Sequence, residues 1–293
     1  MTGGLSLVRI ASEELSAEIT SLGAELQWLR DRDGRDLLWN GDPAWWMGRA
    51  PLLFPIVGKV PGDQVMIDGK LFPLPKHGFA RVSDFTLIDA KAQRVAFELR
   101  SNASTRALYP FDFVLRVTYA IDGATLSTRA VVANEGAEMM PVSFGYHPAF
   151  RWPLPYDERR GDYEFIFERD EPGAIRGLAS ELILDVPRPS PVEGRRLGIN
   201  DEMFEPGALI FTQLSSRSVT YGAAGIPFLR VDFPDMPQLG IWTKPGAPYV
   251  CIEPWSGYAA PVGFSGELGD KPGTTLLAPG QSRIFAMDIS LLL

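Results

Sequence analysis

His77 and His147 are the only histidines in this chain of 293 residues. Histidine has the unperturbed pKa closest to neutrality, so it gives and takes protons most easily there. His147 stands in Phe144-Gly145-Tyr146-His147-Pro148-Ala149-Phe150. If residues 141–150 are extended, their side chains alternate between two faces. Val142, Phe144 and Tyr146 then suit a core, whereas Ser143, Gly145, His147 and Ala149 leave room for a ligand over the other face. A histidine that simply hydrogen-bonds a loop carbonyl fits the same segment. His77 stands in Leu74-Pro75-Lys76-His77-Gly78-Phe79-Ala80-Arg81, where Gly78 permits close backbone approach. His77 and Arg81 entering one site would donate hydrogen bonds to ligand oxygens and favour developing negative charge. The alternative is a surface loop with Arg81 in an ordinary ion pair.

Glu253 ends an apolar run, Tyr249-Val250-Cys251-Ile252-Glu253, ahead of Pro254 and Trp255. Burial there would raise its pKa and make it a stronger base. It could instead be a structural carboxylate bonded to loop amides or an arginine. Trp255 offers a flat apolar surface beside it. Trp242 and Lys244 are expected close by, because only a short loop separates their run from Tyr249. Two histidines and one cysteine give fewer soft ligands than a transition-metal site readily takes, so no metal is expected. No Gly-x-Ser-x-Gly elbow and no glycine-rich phosphate loop occurs, so neither that hydrolase chemistry nor a nucleotide cofactor is expected. Cys251, the single cysteine, reads as a buried structural thiol and leaves no intrachain disulfide possible.

The elements that must hold these groups read as short strands. Phe113 to Ile121 ends at Asp122-Gly123, a hairpin signal, and Ala124 to Val132 alternates again after it. Val95 to Leu99 precedes this pair. Tyr163 to Glu168, Ala208 to Phe211, Val219 to Tyr221, Phe228 to Val231, Gln238 to Trp242, Tyr249 to Glu253 and Ile284 to Leu292 follow. Ala11 to Leu29 is ambiguous: Ser12 could cap a helix, but Gly23 and the alternation of Leu15, Ala17 and Ile19 favour two strands broken near Gly23. Glycine and proline punctuate the whole chain without a linker or a repeat. One all-β domain over residues 1–293, a large sandwich or barrel, is the expected architecture.

Hydrophobic content of 45% and charged content of 22% suit a globular protein. A net charge of −8 argues against a nucleic-acid partner, which would need a basic stripe. Met1 to Ser6 lacks the charged and apolar regions of a signal peptide. No apolar run reaches the ~18 residues of a membrane span. The expectation is a cytoplasmic protein without a membrane partner; the sequence does not choose between a monomer and a homodimer.

Taken in order, these segments resemble the aldose 1-epimerase (galactose mutarotase-like) superfamily, and within it the LacX-like branch. The resemblance is carried by Gly23-Ala24-Glu25-Leu26, residues 50–59 (Ala50-Pro51-Leu52-Leu53-Phe54-Pro55-Ile56-Val57-Gly58-Lys59), His77-Gly78-Phe79-Ala80-Arg81, Tyr109-Pro110-Phe111, the His147 segment and Cys251-Ile252-Glu253-Pro254-Trp255. It implies a β-supersandwich with a sugar cleft across one sheet. It further implies that His147 is the general acid at the pyranose ring oxygen and Glu253 the general base at the C1 hydroxyl. His77 would bind and polarise the sugar, with Arg81 in the same motif, and Lys59 would stand where many relatives carry arginine. Trp242 and Trp255, expected beside Glu253 from their place in the chain and not from the resemblance, would add substrate-binding surface. One departure is visible. Better-known galactose mutarotases bind sugar hydroxyls with an aspartate in an Asp-His-Asn-Phe segment, and its counterpart near Gly207-Ala208-Leu209-Ile210-Phe211 has no acid. The implied activity is an isomerase acting on a small-molecule sugar, with no cofactor. A sugar phosphate as substrate, with Arg49, Lys59, Arg81 and Lys244 as phosphate partners, and a non-catalytic carbohydrate-binding or regulatory module with Trp45, Trp46, Trp242 and Trp255 as stacking residues, are the alternatives.

Overall fold

The computed structural model describes residues 6–156 and 159–292. Most of the Met1 to Ser6 segment therefore lies outside the described residues. Two large antiparallel sheets dominate. The nine-stranded sheet runs, edge to edge, Arg196–Gly198, Glu164–Phe167, Ser218–Gly222, Phe228–Asp232, Ser282–Leu292, Thr125–Asn134, Phe113–Asp122, Arg94–Arg100 and Thr86–Lys91. The eight-stranded sheet runs Leu182–Arg188, Ile175–Ala179, Leu209–Phe211, Gln238–Trp242, Tyr249–Ser256, Phe144–Tyr146 and Leu52–Leu53, with Ala149–Arg151 also paired to Tyr249–Ser256.

The sheets pack face to face because each strand turns alternate residues inward. Leu115, Val117, Leu126, Val132, Phe285 and Met287 from one sheet share a continuous apolar core with Phe144, Tyr146, Leu239, Ile241, Val250 and Ile252 from the other. Phe144 stacks on Phe285 at 5.0 Å between ring centroids. Tyr146 donates its buried hydroxyl to the Phe285 carbonyl at 2.8 Å, which ties the site sheet to its partner. Each such buried side chain stabilises the fold by on the order of 2–3 kcal/mol.

The expected strands are present, with ends shifted by a few residues. Gly123 turns the long hairpin at φ +52°. Ala11 to Leu29 forms two strands, Leu15–Thr20 and Leu26–Asp31, with Gly23 at φ +68° between them. Ser12 caps a turn rather than a helix: its hydroxyl accepts from the amides of Glu14 and Leu15. Gly23 also has a packing reason, since a Cβ there would stand 2.8 Å from the carbonyl oxygen of Arg81.

One expectation needs correction. Residues 141–150 are not one extended strand but parts of three: Met140–Val142, Phe144–Tyr146 and Ala149–Arg151. Met140–Val142 leaves to pair with Thr275–Leu277. The second break falls at His147-Pro148, where proline cannot donate to the ladder. The register is nevertheless the same on both sides of this break, with Gly145 opposite Trp255 and Ala149 opposite Cys251. The Ile252 amide still reaches the Pro148 carbonyl at 3.1 Å. His147 therefore falls opposite Glu253.

Candidate active site

Strand alternation places Tyr249, Cys251, Glu253 and Trp255 on the sheet face away from the shared core, and Gly145, His147 and Ala149 beside them. A cavity of about 670 Å³ opens on this face, a size that suits a small-molecule site. His77, Arg81, His147, Glu253, Trp46, Trp242 and Trp255 line it, together with Lys76, Glu181, Glu205 and the Pro206-Gly207-Ala208 turn.

At its floor His147 Nε2 lies 3.1 Å from Glu253 Oε2. Both residues are buried, at 7% and 3% exposure. Burial lowers the His147 pKa to about 3, because an imidazolium loses its hydration there. Burial likewise raises the Glu253 carboxyl to about 8; the Lys76 charge and the Trp255 indole oppose this weakly. At neutral pH the pair thus holds one proton, on the carboxyl side of the contact.

His77 is prepared for a different task. Its backbone amide donates to the Gly58 carbonyl at 2.8 Å, while its Nδ1 accepts from the Gly58 amide at 3.1 Å. The second bond assigns the ring proton to Nε2. Burial first, then the neighbouring His147, Lys76 and Arg81 charges, hold the His77 pKa well below its ordinary value. The residue is therefore a neutral hydrogen-bond donor. Its backbone sits at φ +66°, followed by Gly78 at φ +70°. A Cβ on Gly78 would stand 2.1 Å from the Phe54 carbonyl oxygen, so only glycine lets the loop press this close to the sheet. The His77 and His147 rings meet edge to face with centroids 5.8 Å apart.

Tryptophans build the walls. Trp46 covers His147 at 5.0 Å between centroids, and Trp242 meets Trp46 edge-on at 5.8 Å. Trp255 lies flat over two glycines of neighbouring strands. A Cβ on Gly145 would stand 2.7 Å from its Cδ1, and one on Gly240 would stand 2.4 Å from the far edge of its ring. No side chain larger than hydrogen fits at either place without moving the indole.

Six of the seven expected site residues meet in this cavity: His147, Glu253, His77, Arg81, Trp242 and Trp255. Lys59 does not line it. Its ammonium lies 3.4 Å from Glu181, and Lys76, the residue before His77, takes the lining position with a 2.6 Å contact to the same carboxylate. The reason is the Ile175–Ala179 to Leu182–Arg188 hairpin, whose tip residues Ser180 and Glu181 have positive φ and carry Glu181 to the rim. Arg49 and Lys244 also lie outside the lining: Arg49 donates to the Gln27 carbonyl, and Lys244 sits over the Trp45 ring. The acid missing near Gly207 has a neighbour on the cavity wall in Glu205. Glu181 and Glu205 carry no sequence signal, since only tertiary packing brings them here; Lys76 was readable as the neighbour of His77. Soft ligand types are few along the chain. The structure brings ligand atoms of His147, Cys251 and Glu253 within 4.8 Å of one another.

A profile of the aldose 1-epimerase family matches residues 6–290. The chain belongs to the aldose 1-epimerase family. Among its relatives, the plasmid-encoded protein LacX of Lactococcus lactis subsp. lactis is 33% identical, with 97% of this chain and 99% of LacX covered. Among solved structures, a galactose mutarotase-like protein from Lactobacillus casei ATCC 334 superposes with a TM-score of 0.92 at 30% identity, covering 98% of this chain and all of the other. A galactose mutarotase related enzyme from Lactobacillus acidophilus gives 0.89 at 28% identity, covering 98% of each chain. The β-sandwich of this aldose 1-epimerase family member is thus the galactose mutarotase-like fold.

The buried acid should weaken the fold of this family member in a defined pH window. Unfolded, the Glu253 carboxyl ionises near its ordinary 4.5; folded, it keeps its proton to about 8. Between these values the folded state binds more protons, so raising pH costs stability. Above both values the cost is complete and constant. Glu253→Gln removes it. Urea unfolding should show the variant gaining on the wild type as pH rises from about 4.5 to about 8, by several kcal/mol at most. A difference that does not change with pH would contradict the buried, protonated carboxyl.

Proposed function

We propose that this protein interconverts the α and β anomers of an aldose by acid–base opening and reclosure of the sugar ring. The observation that carries the reading is the buried contact of 3.1 Å between His147 and Glu253 on the floor of a tryptophan-walled cavity. Mutarotation acts on one O–C–O unit: it needs a base at the C1 hydroxyl and an acid at the ring oxygen. Glu253 as carboxylate takes the hydroxyl proton, and His147 as imidazolium gives one to the ring oxygen. The C1–O5 bond breaks and C1 becomes an aldehyde. Rotation about C1–C2 presents the other carbonyl face, and both proton transfers reverse on closure.

The proton count is the same throughout. The reactive imidazolium–carboxylate state carries one proton on the pair, and so does the resting state of neutral imidazole and protonated carboxyl. Passing between them moves a proton across the pair and takes none from solvent. His77, fixed as a neutral Nε2–H donor by its bond from Gly58, would hold a sugar oxygen rather than exchange a proton. The three tryptophans supply flat apolar surface to a pyranose ring. A module that only binds sugar has no need of a buried acid beside a buried imidazole.

Each proton-transfer group should contribute about 10²–10⁴-fold. His147→Ala and Glu253→Gln should each reduce anomer exchange by that factor, measured by NMR exchange or polarimetry on a panel of aldoses. The kcat/KM profile should lack an inflection near 6.5, the ordinary histidine value. It should fall below about 3, where the pair gains a second proton, and above about 8, where it loses its one. Wild-type exchange equal to that of the double variant for every sugar would refute the proposal. Calorimetric sugar binding without exchange would favour the binding module.

One observation favours a narrower substrate class. Arg81 lines the cavity half-buried and, among the described residues, has no carboxylate within ion-pair distance; its Nη2 donates only to the Lys76 carbonyl at 3.1 Å. A guanidinium so placed suits an anionic group on the sugar. The comparison is glucose against glucose 6-phosphate, where a kcat/KM at least tenfold higher for the phosphate, lost in Arg81→Ala, is expected. Equal values would leave the neutral sugar as substrate.

A further inference from the structure

Cys251 has no part in the mechanism above, yet it stands beside both reacting groups. Cys251 and Glu253 are two apart on the strand Tyr249–Ser256, so they share its cavity-side face. On one flank their cross-strand neighbours are Ala149 and His147; on the other they are Trp242 and Gly240. Two of these four neighbours, Ala149 and Gly240, are small. One ligand atom from each lies within 4.8 Å of the others, and all three residues are at least nine-tenths buried. The second ring nitrogen of His147, Nδ1, is buried and has no hydrogen-bond partner.

We propose that Cys251, Glu253 and His147 form a three-ligand site for Zn²⁺ or a comparable thiophilic divalent cation, and that metal and sugar exclude one another there. Thiolate, imidazole and carboxylate are the donor types zinc takes in tetrahedral sites. Bond lengths of 2.0–2.3 Å place tetrahedral ligand atoms about 3.5 Å apart, so the three side chains need to close by about an ångström. The cavity supplies the fourth position to water. Two anionic ligands neutralise the cation, which removes the burden of an uncompensated buried charge. Binding displaces two protons, one from the thiol and one from the His147–Glu253 pair. The site therefore strengthens with pH, because ligation releases these protons.

The exclusion follows from atom count. A metal holds the Glu253 carboxylate and one nitrogen of His147, so neither the free carboxylate nor the imidazolium that the reaction needs can form, and the loaded protein is inactive until the metal is removed. This consequence rests on the mutarotase reading; metal binding itself does not.

The test uses the full chain with Cd²⁺ and Co²⁺ as probes, followed by thiolate-to-metal charge-transfer absorption, and Zn²⁺ as competitor. The expected result is a band that saturates at one metal per chain, disappears with Zn²⁺ or chelator, and is absent in Cys251→Ala and Cys251→Ser. Zn²⁺ should inhibit anomer exchange reversibly. Cys251→Ala should keep exchange within a few-fold of wild type and need at least tenfold more Zn²⁺ for half inhibition. If one cysteine variant fails to fold, the other carries the comparison. Absence of a band in the wild type, or a band that survives loss of Cys251, overturns the site. A Cys251-dependent band in a protein without exchange activity supports the metal site and removes the mutarotase reading instead.

Discussion

The site depends on one constraint: an imidazole and a carboxylate held opposite each other with little contact with water. His147 and Glu253 come from neighbouring strands in a register that survives an interruption of the ladder at Pro148. Because each is buried, neither tolerates a lone charge, and the pair retains a single proton between them. This is a costly arrangement for stability. The fold sustains it through the large apolar core on the opposite side of the same sheet, where Phe144, Tyr146, Val250 and Ile252 anchor the strands that carry the pair.

The surrounding residues leave that pair at the floor of an open cavity while covering most of its surface. Glycines at 145 and 240 let the Trp255 indole lie flat on the sheet. Gly48 does the same for Trp46, since a Cβ there would stand 2.4 Å from its six-membered ring. The Lys76-His77-Gly78 loop presses against Phe54 and Gly58 and emerges with the His77 tautomer already set. Lys76, Lys59 and Glu181 join this loop to the hairpin tip across the rim. The buried pair, the His77 donor and the walls are thus placed by backbone contacts more than by side-chain reach, which is the form preorganisation takes here.

Much of this was legible in the sequence. Alternating runs such as Phe113 to Ile121 and Gln238 to Trp242 have the period of a strand, and Gly23 and Asp122-Gly123 mark turns by the φ they permit. The small residues around His147 pointed to an open face, and that survived even though the segment is three strands and not one. The strands Leu52–Leu53 and Thr86–Lys91 were not legible, because two residues show no period and an exposed edge strand has little apolar contrast. The pairing of His147 with Glu253, more than a hundred residues apart, was implied by the family resemblance and not by local pattern, and the proximity of Cys251 to both was not legible at all. Counting ligands along the sequence argued against a metal; strand register supplies the proximity that counting lacks. Lys59 was expected in the site by its position in a motif, and Glu181 holds it at the rim.

The most direct measurement is a crystal structure of the protein with an aldose bound. The account predicts His147 Nε2 at the ring oxygen and Glu253 at the C1 hydroxyl, each within ~3.2 Å, with His77 Nε2 donating to a sugar oxygen and the ring against the tryptophans. A sugar seated in the cavity with C1 turned away from both His147 and Glu253 would contradict it.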